Sequence, residues 1–500
     1  MSTPEINFND PTLFGNDAAE DEDLDVFNSY VVDRSETQEF ANPKNRIRIA
    51  RAYKGEGKSA LLRLARQKIP AEDVIVNATG PSLAPEVHGI DSDLWVNAWK
   101  RRILSAIASE VGVRIGMAWT DDAMSLVEEA EQNGFRERSL LSAILDRLTI
   151  KGVPVERKPT TASASEQLIK RWLHDRTDTW VFIDDIDQNF QNTPEARAKI
   201  ASIFTACRHI TNTIPEIHFR MGVRPNIWTL VKLHFEALSH VEQYVIDLAW
   251  DESDLRRLLA QRLAGYLRRQ PEYRTYVANI PKSGGDRDER LIALAFEQSM
   301  PWGRTAQGQS KTRPPHVVLS TLSRHRPRWL IELCKEAART VRTTGKNRIA
   351  LEDIVSQLPS FGKRRIDDTV AEFRAQCPQV HELITAFQDQ REDYRTSELF
   401  EAIKRRVLHA LSVTIEGVAN QADARQIAAF LFQIGFLTAR QDLPDGDYRH
   451  FSFAQKPDLL LNRTNIDQGM SWEIHPVFRQ ALGLRTVEGR EVRKRDYGPR

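Results

Sequence analysis

The stretch from residue 46 to residue 69, RIRIARAYKGEGKSALLRLARQKI, constrains the fold more than any other part of the chain. Residues 45–52 alternate polar and apolar positions, which is typical of a short strand, and residues 59–69 place leucines at helical spacing among basic residues. Gly55 and Gly57 lie between these two patterns and permit a tight turn. The segment therefore predicts a strand, a turn and a helix in immediate succession.

This turn contains the groups of a phosphate cradle. The first amides of a helix have no partner within the helix, and the positive end of the helix dipole attracts anions. Lys58 adds a mobile charge, and the hydroxyl of Ser59 can ligate magnesium. Ala52 stands where the usual G-x-x-x-x-G-K-[ST] pattern has glycine, which removes no phosphate-contacting group; a chance GKS at a helix start is the alternative. The predicted cradle consists of Lys54, Gly55, Glu56, Gly57, Lys58, Ser59 and Ala60.

A second motif, WVFIDDIDQNF at residues 180–190, follows further along the chain. Its four apolar residues predict a buried parallel strand, and the carboxyl ends of such strands form the ligand crevice of an open sheet. Asp184 fits the carboxylate that organises magnesium, and Asp185 fits the acid that polarises an attacking water. Asp187 is a weaker candidate, for which a helix cap is the alternative.

Two further strands fit the same sheet, at residues 74–80 and 217–225. The second follows a helix that Thr193 would cap and Pro194 would open. Arg224 ends this strand, where a guanidinium could sense a terminal phosphate. A surface arginine at a strand end is equally compatible with the spacing.

These motifs resemble those of bacterial P-loop ATPases of the AAA+/STAND/KAP-like group, specifically members with an FGN…AE.D segment before a GxKGxGKSAL loop. The chain has FGNDAAEDED at residues 14–23 and AYKGEGKSAL at residues 52–61, with further matching segments at 245–263 and 326–338. The resemblance implies that ATP and Mg²⁺ are the ligands, and that Arg326 or Arg328 acts like a second sensor arginine. It also implies a homo-oligomer and a separate effector protein, often in antiphage defence.

The predicted fold class is α/β: a P-loop NTPase core with a parallel sheet, a helical lid and a C-terminal winged-helix-like domain. Hydrophobic residues at helical spacing (Ile427, Phe430, Leu431 and Ile434) precede a strand, a turn at Pro444-Asp445-Gly446 and another strand. The Pro/Gly-rich stretch PWGRTAQGQSKTRPP predicts a loop. The predicted boundaries are 1–44 for an acidic N-terminal segment, 45–235 for the core, 236–360 for the lid and 361–500 for the C-terminal domain.

Composition limits the classes of partner. Seventy basic and 69 acidic residues give a net charge of +1, which provides no general attraction to nucleic acid. No apolar run reaches the roughly 18 residues of a membrane span, and the start MSTPEINFND lacks a signal-peptide pattern, so we expect a cytoplasmic protein without membrane contact. The acidic run from Asp17 to Asp25 predicts a solvated end.

Three functions are compatible with these features. The favoured hypothesis is an ATP-hydrolysing switch that couples its nucleotide state to a partner or effector protein. The second is a DNA-binding ATPase, a regulator or loader, that acts through the winged-helix domain; DNA is not favoured because the helix of residues 423–433 carries one arginine and no basic stripe. The third is an adaptor that binds nucleotide without hydrolysing it.

Overall fold

The computed structural model describes residues 4–115, 169–170, 173, 177–281, 284–304, 310–443, 448–461 and 467–485. The chain divides into two compact units. The core unit is Asp33–Leu248, and the second unit combines Met1–Val32 with Ala249–Arg500. The core unit is therefore longer at both ends than the range 45–235 inferred from sequence. Residues 249–360 of the inferred lid and all of the inferred C-terminal domain fall in the second unit.

A five-stranded parallel sheet forms the centre of the core unit, with strand order β2-β3-β4-β1-β5. All seven residues of β4 and the first five of β3 are buried, as expected for central strands covered on both faces. The predicted strand, turn and helix around Gly55 and Gly57 are present as β1 and α3. The strands are β1 Ile47–Arg51, β2 Val74–Thr79, β3 Thr179–Asp184, β4 Ile217–Val223 and β5 Val245–Asp247.

Local sequence signals determine where the core helices begin. The Thr193 hydroxyl accepts a hydrogen bond from the amide of Ala196 at 3.2 Å, and Pro194 occupies the first helical position of α6, as predicted. α5 packs on α6, and the Trp99 Nε1 of α5 donates to the carbonyl of Lys199 at 2.9 Å. The helices are α2 Ser35–Ala41, α3 Lys58–Gln67, α4 Gly80–Leu83, α5 Ser92–Ile115, α6 Pro194–Thr213 and α7 Pro225–Lys232.

A buried arginine in β4 attaches the end of α2 to the sheet. Arg220 donates to the carbonyls of Phe40 and Asn42, the latter at 3.0 Å, and its guanidinium lies 4.6 Å from the Trp180 ring centroid. Burial lowers the pKa of Arg220 to about 9, and the charge of Arg48 contributes to the same direction. These contacts provide hydrogen-bond acceptors that a buried cation requires.

The second unit is mainly helical, and a buried arginine of α8 anchors its N-terminal segment. Arg262 donates to the carbonyls of Phe14 and Asn16, and its guanidinium lies 4.0 Å from the Tyr30 ring centroid. The helices are α1 Leu24–Tyr30, α8 Glu252–Arg269, α9 Arg274–Asn279, α10 Gly285–Ala295, α11 Pro315–Leu322, α12 Pro327–Thr344, α13 Leu351–Val355, α14 Leu358–Phe373 and α15 Val380–Thr385.

One expectation about this unit is wrong, and another is incomplete. The stretch expected to be a loop contains an antiparallel hairpin, β6 Met300–Arg304 with β7 Ser310–Arg313. Its glycines and prolines do not prevent the backbone of the two strands from pairing. The acidic run is not simply solvated, since Asp17 pairs with Lys335 at 3.1 Å and Glu20 with Arg328 at 3.2 Å.

The C-terminal part of the second unit has the predicted order of helix, strand and strand. A four-stranded antiparallel sheet has the order β10-β9-β11-β8, and the predicted turn at residues 444–446 lies outside the described residues. The predicted fold class is thereby confirmed. In the described ranges, no helix combines the length and apolar character that crossing a bilayer requires. The elements are β8 Asp393–Tyr394, α16 Thr396–Ile403, α17 Ala424–Gln433, β9 Leu437–Asp442, β10 Tyr448–Phe451, β11 Ser471–Ile474 and α18 Pro476–Arg479.

Candidate functional site

The turn between β1 and α3 places backbone amides at the carboxyl edge of the sheet. Gly55 has φ +84° and Gly57 has φ +95°, values in the left-handed region that favours glycine. Gly57 is the N-cap of α3, and no side chain caps this helix. The first-turn amides of Lys58, Ser59 and Ala60 are therefore available to an anion, which satisfies one requirement of the predicted phosphate cradle.

Glu56 closes the loop on itself. Its carboxylate accepts a hydrogen bond from the Tyr53 amide at 2.6 Å, and its own amide donates to the Tyr53 carbonyl at 3.2 Å. The buried Ala52 donates its amide to the carbonyl of Val223 at 3.2 Å, which ties the start of the loop to β4. These contacts show how the loop is held with alanine at its first position.

Lys58 turns back over the loop. Its Nζ donates to the carbonyl of Ala52 at 2.7 Å. Burial lowers the pKa of Lys58, the carboxylates of Asp187 and then Asp184 counteract this effect, and the guanidinium of Arg224 adds to it. The charges of Asp184, at the end of β3, and of Asp187, three residues later, thus favour the charged form of Lys58.

Asp184 and Lys58 converge at Gly222 of β4. A Cβ atom on Gly222 would lie 3.2 Å from Oδ1 of Asp184 and 3.3 Å from Cδ of Lys58. The absence of a side chain at this position therefore leaves room for both groups. Sequence analysis did not select Gly222, although a glycine inside a strand signals a close approach of other atoms.

Asp185 lies on a specialised turn directly after β3. Its φ is +50°, and its amide donates to Oδ1 of Asp184 at 2.9 Å. The turn packs against Gly80, where an added Cβ would lie 2.5 Å from Cα of Ile186 and 2.7 Å from the carbonyl oxygen of Asp185. The end of β2 thus positions the backbone that carries Asp185.

Arg224 follows β4 and is engaged by Asp187. Its Nε lies 3.0 Å from Oδ2 of Asp187, and its amide donates to the same oxygen at 2.7 Å. The side chain of Asp187 is 3% exposed, against 23% for Arg224. The structure therefore gives Asp187 a specific contact that its sequence position did not reveal.

The two predicted sensor arginines, Arg326 and Arg328, belong to the second unit. Arg326 pairs with Glu372 at 3.0 Å, and both side chains are 4% exposed. Arg328 pairs with Glu20 at the more exposed start of α12. The assignment of a sensor role to either arginine stays a prediction.

Comparison with solved structures shows faint likeness over most of the chain. The Aeropyrum pernix ORC2 protein, solved as ADPNP-ADP complexes, is 12% identical, with coverage of 94% of this chain and 96% of that chain and a TM-score of 0.43. A Walker-type ATPase of Pyrococcus abyssi is 11% identical, with coverage of 88% and 97% and a TM-score of 0.38. Cdc6p from Pyrobaculum aerophilum is 12% identical, with coverage of 87% and 85% and a TM-score of 0.29.

These identities and TM-scores are too low to assign an activity to this chain. No protein-family model matches the sequence. No curated protein matches it either. The case for a function consequently depends on the residues of the site.

Proposed function

We propose that this protein binds ATP with Mg²⁺ and hydrolyses it, and that its nucleotide state controls contact with a partner. The observation that carries the proposal is the convergence of Lys58 and Asp184 at Gly222, directly beside the uncapped start of α3. A cation, a carboxylate and a row of amides at one sheet edge are what a magnesium-bound triphosphate requires.

Each residue has a distinct role in this proposal. The amides of Gly55 and of the residues from Gly57 to Ala60 would bind phosphate oxygens, and Lys58 would contact the outer phosphates. The oxygens of Ser59 and Asp184 would hold Mg²⁺, which would neutralise charge on the phosphates.

Water activation and phosphate sensing involve two further side chains. Asp185 would polarise the attacking water, because it directly follows Asp184 at the carboxyl end of β3. Arg224 stabilises charge that develops on the terminal phosphate, since its guanidinium is fixed close enough to Lys58 to influence its pKa.

The switch itself would involve the second unit. Arg326 or Arg328 would contact nucleotide from the lid, so that ATP binding changes the position of the lid and the surface offered to a partner. A partner or effector protein, a homo-oligomer that supplies an arginine to the site, and a defence role in bacteria follow from the motif resemblance.

Contacts of α17 argue against DNA recognition by this helix. None of its ten residues is exposed, and its single arginine, Arg425, donates to the carbonyls of Leu460 and Leu461 at 2.7 and 2.8 Å. A helix that reads the major groove needs an exposed face with base-contacting and phosphate-contacting side chains. A gel-shift titration at two salt concentrations tests the DNA alternative, for which salt-sensitive binding would be required.

The proposal is tested by titrating a non-hydrolysable ATP analogue against wild type, Lys58→Ala and the control Lys68→Ala. Lys68 is exposed at the far end of α3 and pairs with Asp33, so its loss should leave binding unchanged. We expect roughly 100-fold weaker binding for Lys58→Ala, because a charged hydrogen-bond donor to phosphate is removed. Equal affinities of Lys58→Ala and wild type would reject the assigned site.

Phosphate release distinguishes the switch from a non-hydrolysing adaptor. An adaptor would bind the analogue and lose binding in Lys58→Ala, but wild type and Asp185→Asn would release phosphate at the same background rate. The proposed hydrolase requires faster release by wild type, measured with its partner protein present where turnover depends on one.

A further inference from the structure

Asp187 is nearly inaccessible to solvent and makes several contacts with one residue, Arg224. Its Oδ2 accepts hydrogen bonds from the amide of Arg224 at 2.7 Å and lies 3.0 Å from Nε of Arg224. Nη2 of Arg224 donates to the backbone carbonyl of Asp187. Asp187, three positions after the end of β3, thus holds both the backbone and the side chain of Arg224, which directly follows β4.

These contacts fix the direction of the Arg224 side chain. A guanidinium is planar and rigid, so contacts through Nε and one terminal nitrogen along one edge determine where its remaining edge points. The backbone is constrained as well, because Arg224 is the N-cap of α7 and Pro225 occupies the first helical position. A side chain that would otherwise sample many rotamers is restricted before any ligand arrives.

The pair lies at the same strand end as Lys58, since Arg224 comes two residues after Gly222 and a Cβ atom on Gly222 would lie 3.3 Å from Cδ of Lys58. Burial lowers the pKa of Lys58, the charges of Asp187 and Asp184 counteract this effect, and the charge of Arg224 adds to it. One buried carboxylate therefore lies near two cations, which reduces their mutual repulsion. Both cations can then occupy the corner where a terminal phosphate would be bound.

We propose that Asp187 is a positioning residue that holds the Arg224 guanidinium toward the terminal phosphate of bound ATP, and so enables the site to distinguish ATP from ADP. This inference rests on the proposed function. Asp187 acts through Arg224, since the carboxylate oxygen that contacts Arg224 is already engaged by two of its donors. Asp187 would orient Arg224 for phosphate sensing in the same way that an orienting group in an active site aligns a reactive side chain.

The test is the ratio of ATP-analogue affinity to ADP affinity in Asp187→Asn. Asparagine keeps the size of the side chain but removes the charge that holds the guanidinium. We expect the ratio to fall about tenfold, with ADP affinity unchanged, because ADP lacks the phosphate that Arg224 contacts. Arg224→Gln should show the same fall, and the double variant should show no further loss, since both changes remove one coupled unit.

Asp73→Asn is the matched control. Asp73 is 7% exposed in the same unit, and its carboxylate accepts hydrogen bonds from Nε1 of Trp180 at 2.9 Å and from the Asp178 amide at 3.2 Å. It precedes β2, at the sheet edge opposite to the phosphate loop. Its replacement should lower thermal stability and leave the affinity ratio unchanged.

Arg224→Lys provides an independent readout that does not require Asp187→Asn to fold. Lysine keeps the positive charge but cannot make the two edge contacts, so the affinity ratio should fall about as far as in Arg224→Gln. An unchanged affinity ratio in Arg224→Lys would overturn the inference. It would also be overturned if Asp187→Asn folds and keeps the wild-type ratio while Arg224→Gln lowers it. Neither result affects the proposed nucleotide site, which fails if Lys58→Ala binds nucleotide like wild type.

Discussion

Cδ of Lys58 and Oδ1 of Asp184 lie on the same side of β4, each within 3.3 Å of the point that a Cβ atom on Gly222 would occupy. The two residues are 126 positions apart in sequence, and the parallel pairing of β4 with both β3 and β1 brings them together. The side chains of Lys58 and Asp184 are thus neighbours at this edge of the sheet. A substitution at Gly222 should act on both.

Gly222→Ala should weaken nucleotide binding without destabilising the sheet. Gly222 has no positive φ, and replacing glycine by alanine in a compatible strand position stabilises a protein by about 0.4–1 kcal/mol. The added methyl group must displace Asp184 or Lys58 by a few tenths of an ångström. We expect about tenfold weaker ATP-analogue binding, measured by calorimetry, with an unchanged or higher melting temperature. Weaker binding together with a lower melting temperature would indicate general disruption.

Asp185→Asn should retain ATP binding and lose hydrolysis. Asparagine tolerates the left-handed backbone conformation that Asp185 adopts at φ +50°, so the turn should persist. The amide cannot accept a proton from water, and we expect phosphate release to fall by about 100-fold or more. Radiolabelled ATP would remain bound and uncleaved on the variant. Turnover at the wild-type rate would remove Asp185 from the mechanism.

As the pH rises, ATP affinity should begin to decrease at a pH below that at which exposed lysines lose their protons. Burial lowers the pKa of Lys58 in the free protein, whereas bound phosphates favour the charged ammonium. Binding should therefore take up protons between neutral pH and the pKa of an exposed lysine, about 10.4. Calorimetry in two buffers of different ionisation enthalpy measures this uptake. Lys68→Ala should behave like wild type, and proton release in this range would contradict the assignment.

His316 should make the second unit sensitive to acid. Burial, together with the charge of Arg256, lowers its pKa to about 4, and its buried Nδ1 has no hydrogen-bond partner among the described residues. The unfolded chain therefore binds a proton at higher pH than the folded chain does. Stability is fully present above pH 6.5 or so and is lost as pH falls toward 4, by about 2 kcal/mol after solvent screening is considered.

Denaturant unfolding of His316→Leu across this pH range checks the prediction. The variant should show a flatter dependence of the free energy of unfolding on pH than wild type. His88→Gln is the control, because the side chain of His88 is 92% exposed. If wild type and His316→Leu have the same slope, His316 does not titrate between the folded and unfolded states.

The sequence predicted the parallel-sheet core because its signals are local. The glycines of the phosphate loop, the apolar run before Asp184 and the cap at Thr193 each act within a few residues, and the structure places β1, α3, β3 and α6 accordingly. The fold class followed from the alternation of these elements. The convergence of Asp184 with Lys58 followed from the rule that parallel strands end at one ligand-binding edge.

Contacts between segments that are distant in sequence were harder to predict. Asp187 was predicted only as a weaker candidate, with a helix cap as the alternative, because its partner, Arg224, lies 37 positions away and directly follows the next strand of the sheet. The acidic N-terminal run looked solvated because its cationic partners are on α12, more than 300 residues later. The hairpin of β6 and β7 was missed because glycine and proline mark turns without excluding backbone pairing on either side.

The most direct test of the central claim is calorimetric titration of an ATP analogue into wild type and Asp184→Asn, with and without Mg²⁺. The account predicts that Mg²⁺ strengthens binding to wild type and that Asp184→Asn loses most of this increment, because one magnesium-binding carboxylate is removed. Metal-free affinity should be unchanged or higher in the variant, since a negative charge beside the phosphates is gone. An identical response to Mg²⁺ in both proteins would contradict a shared site of Lys58, Ser59 and Asp184.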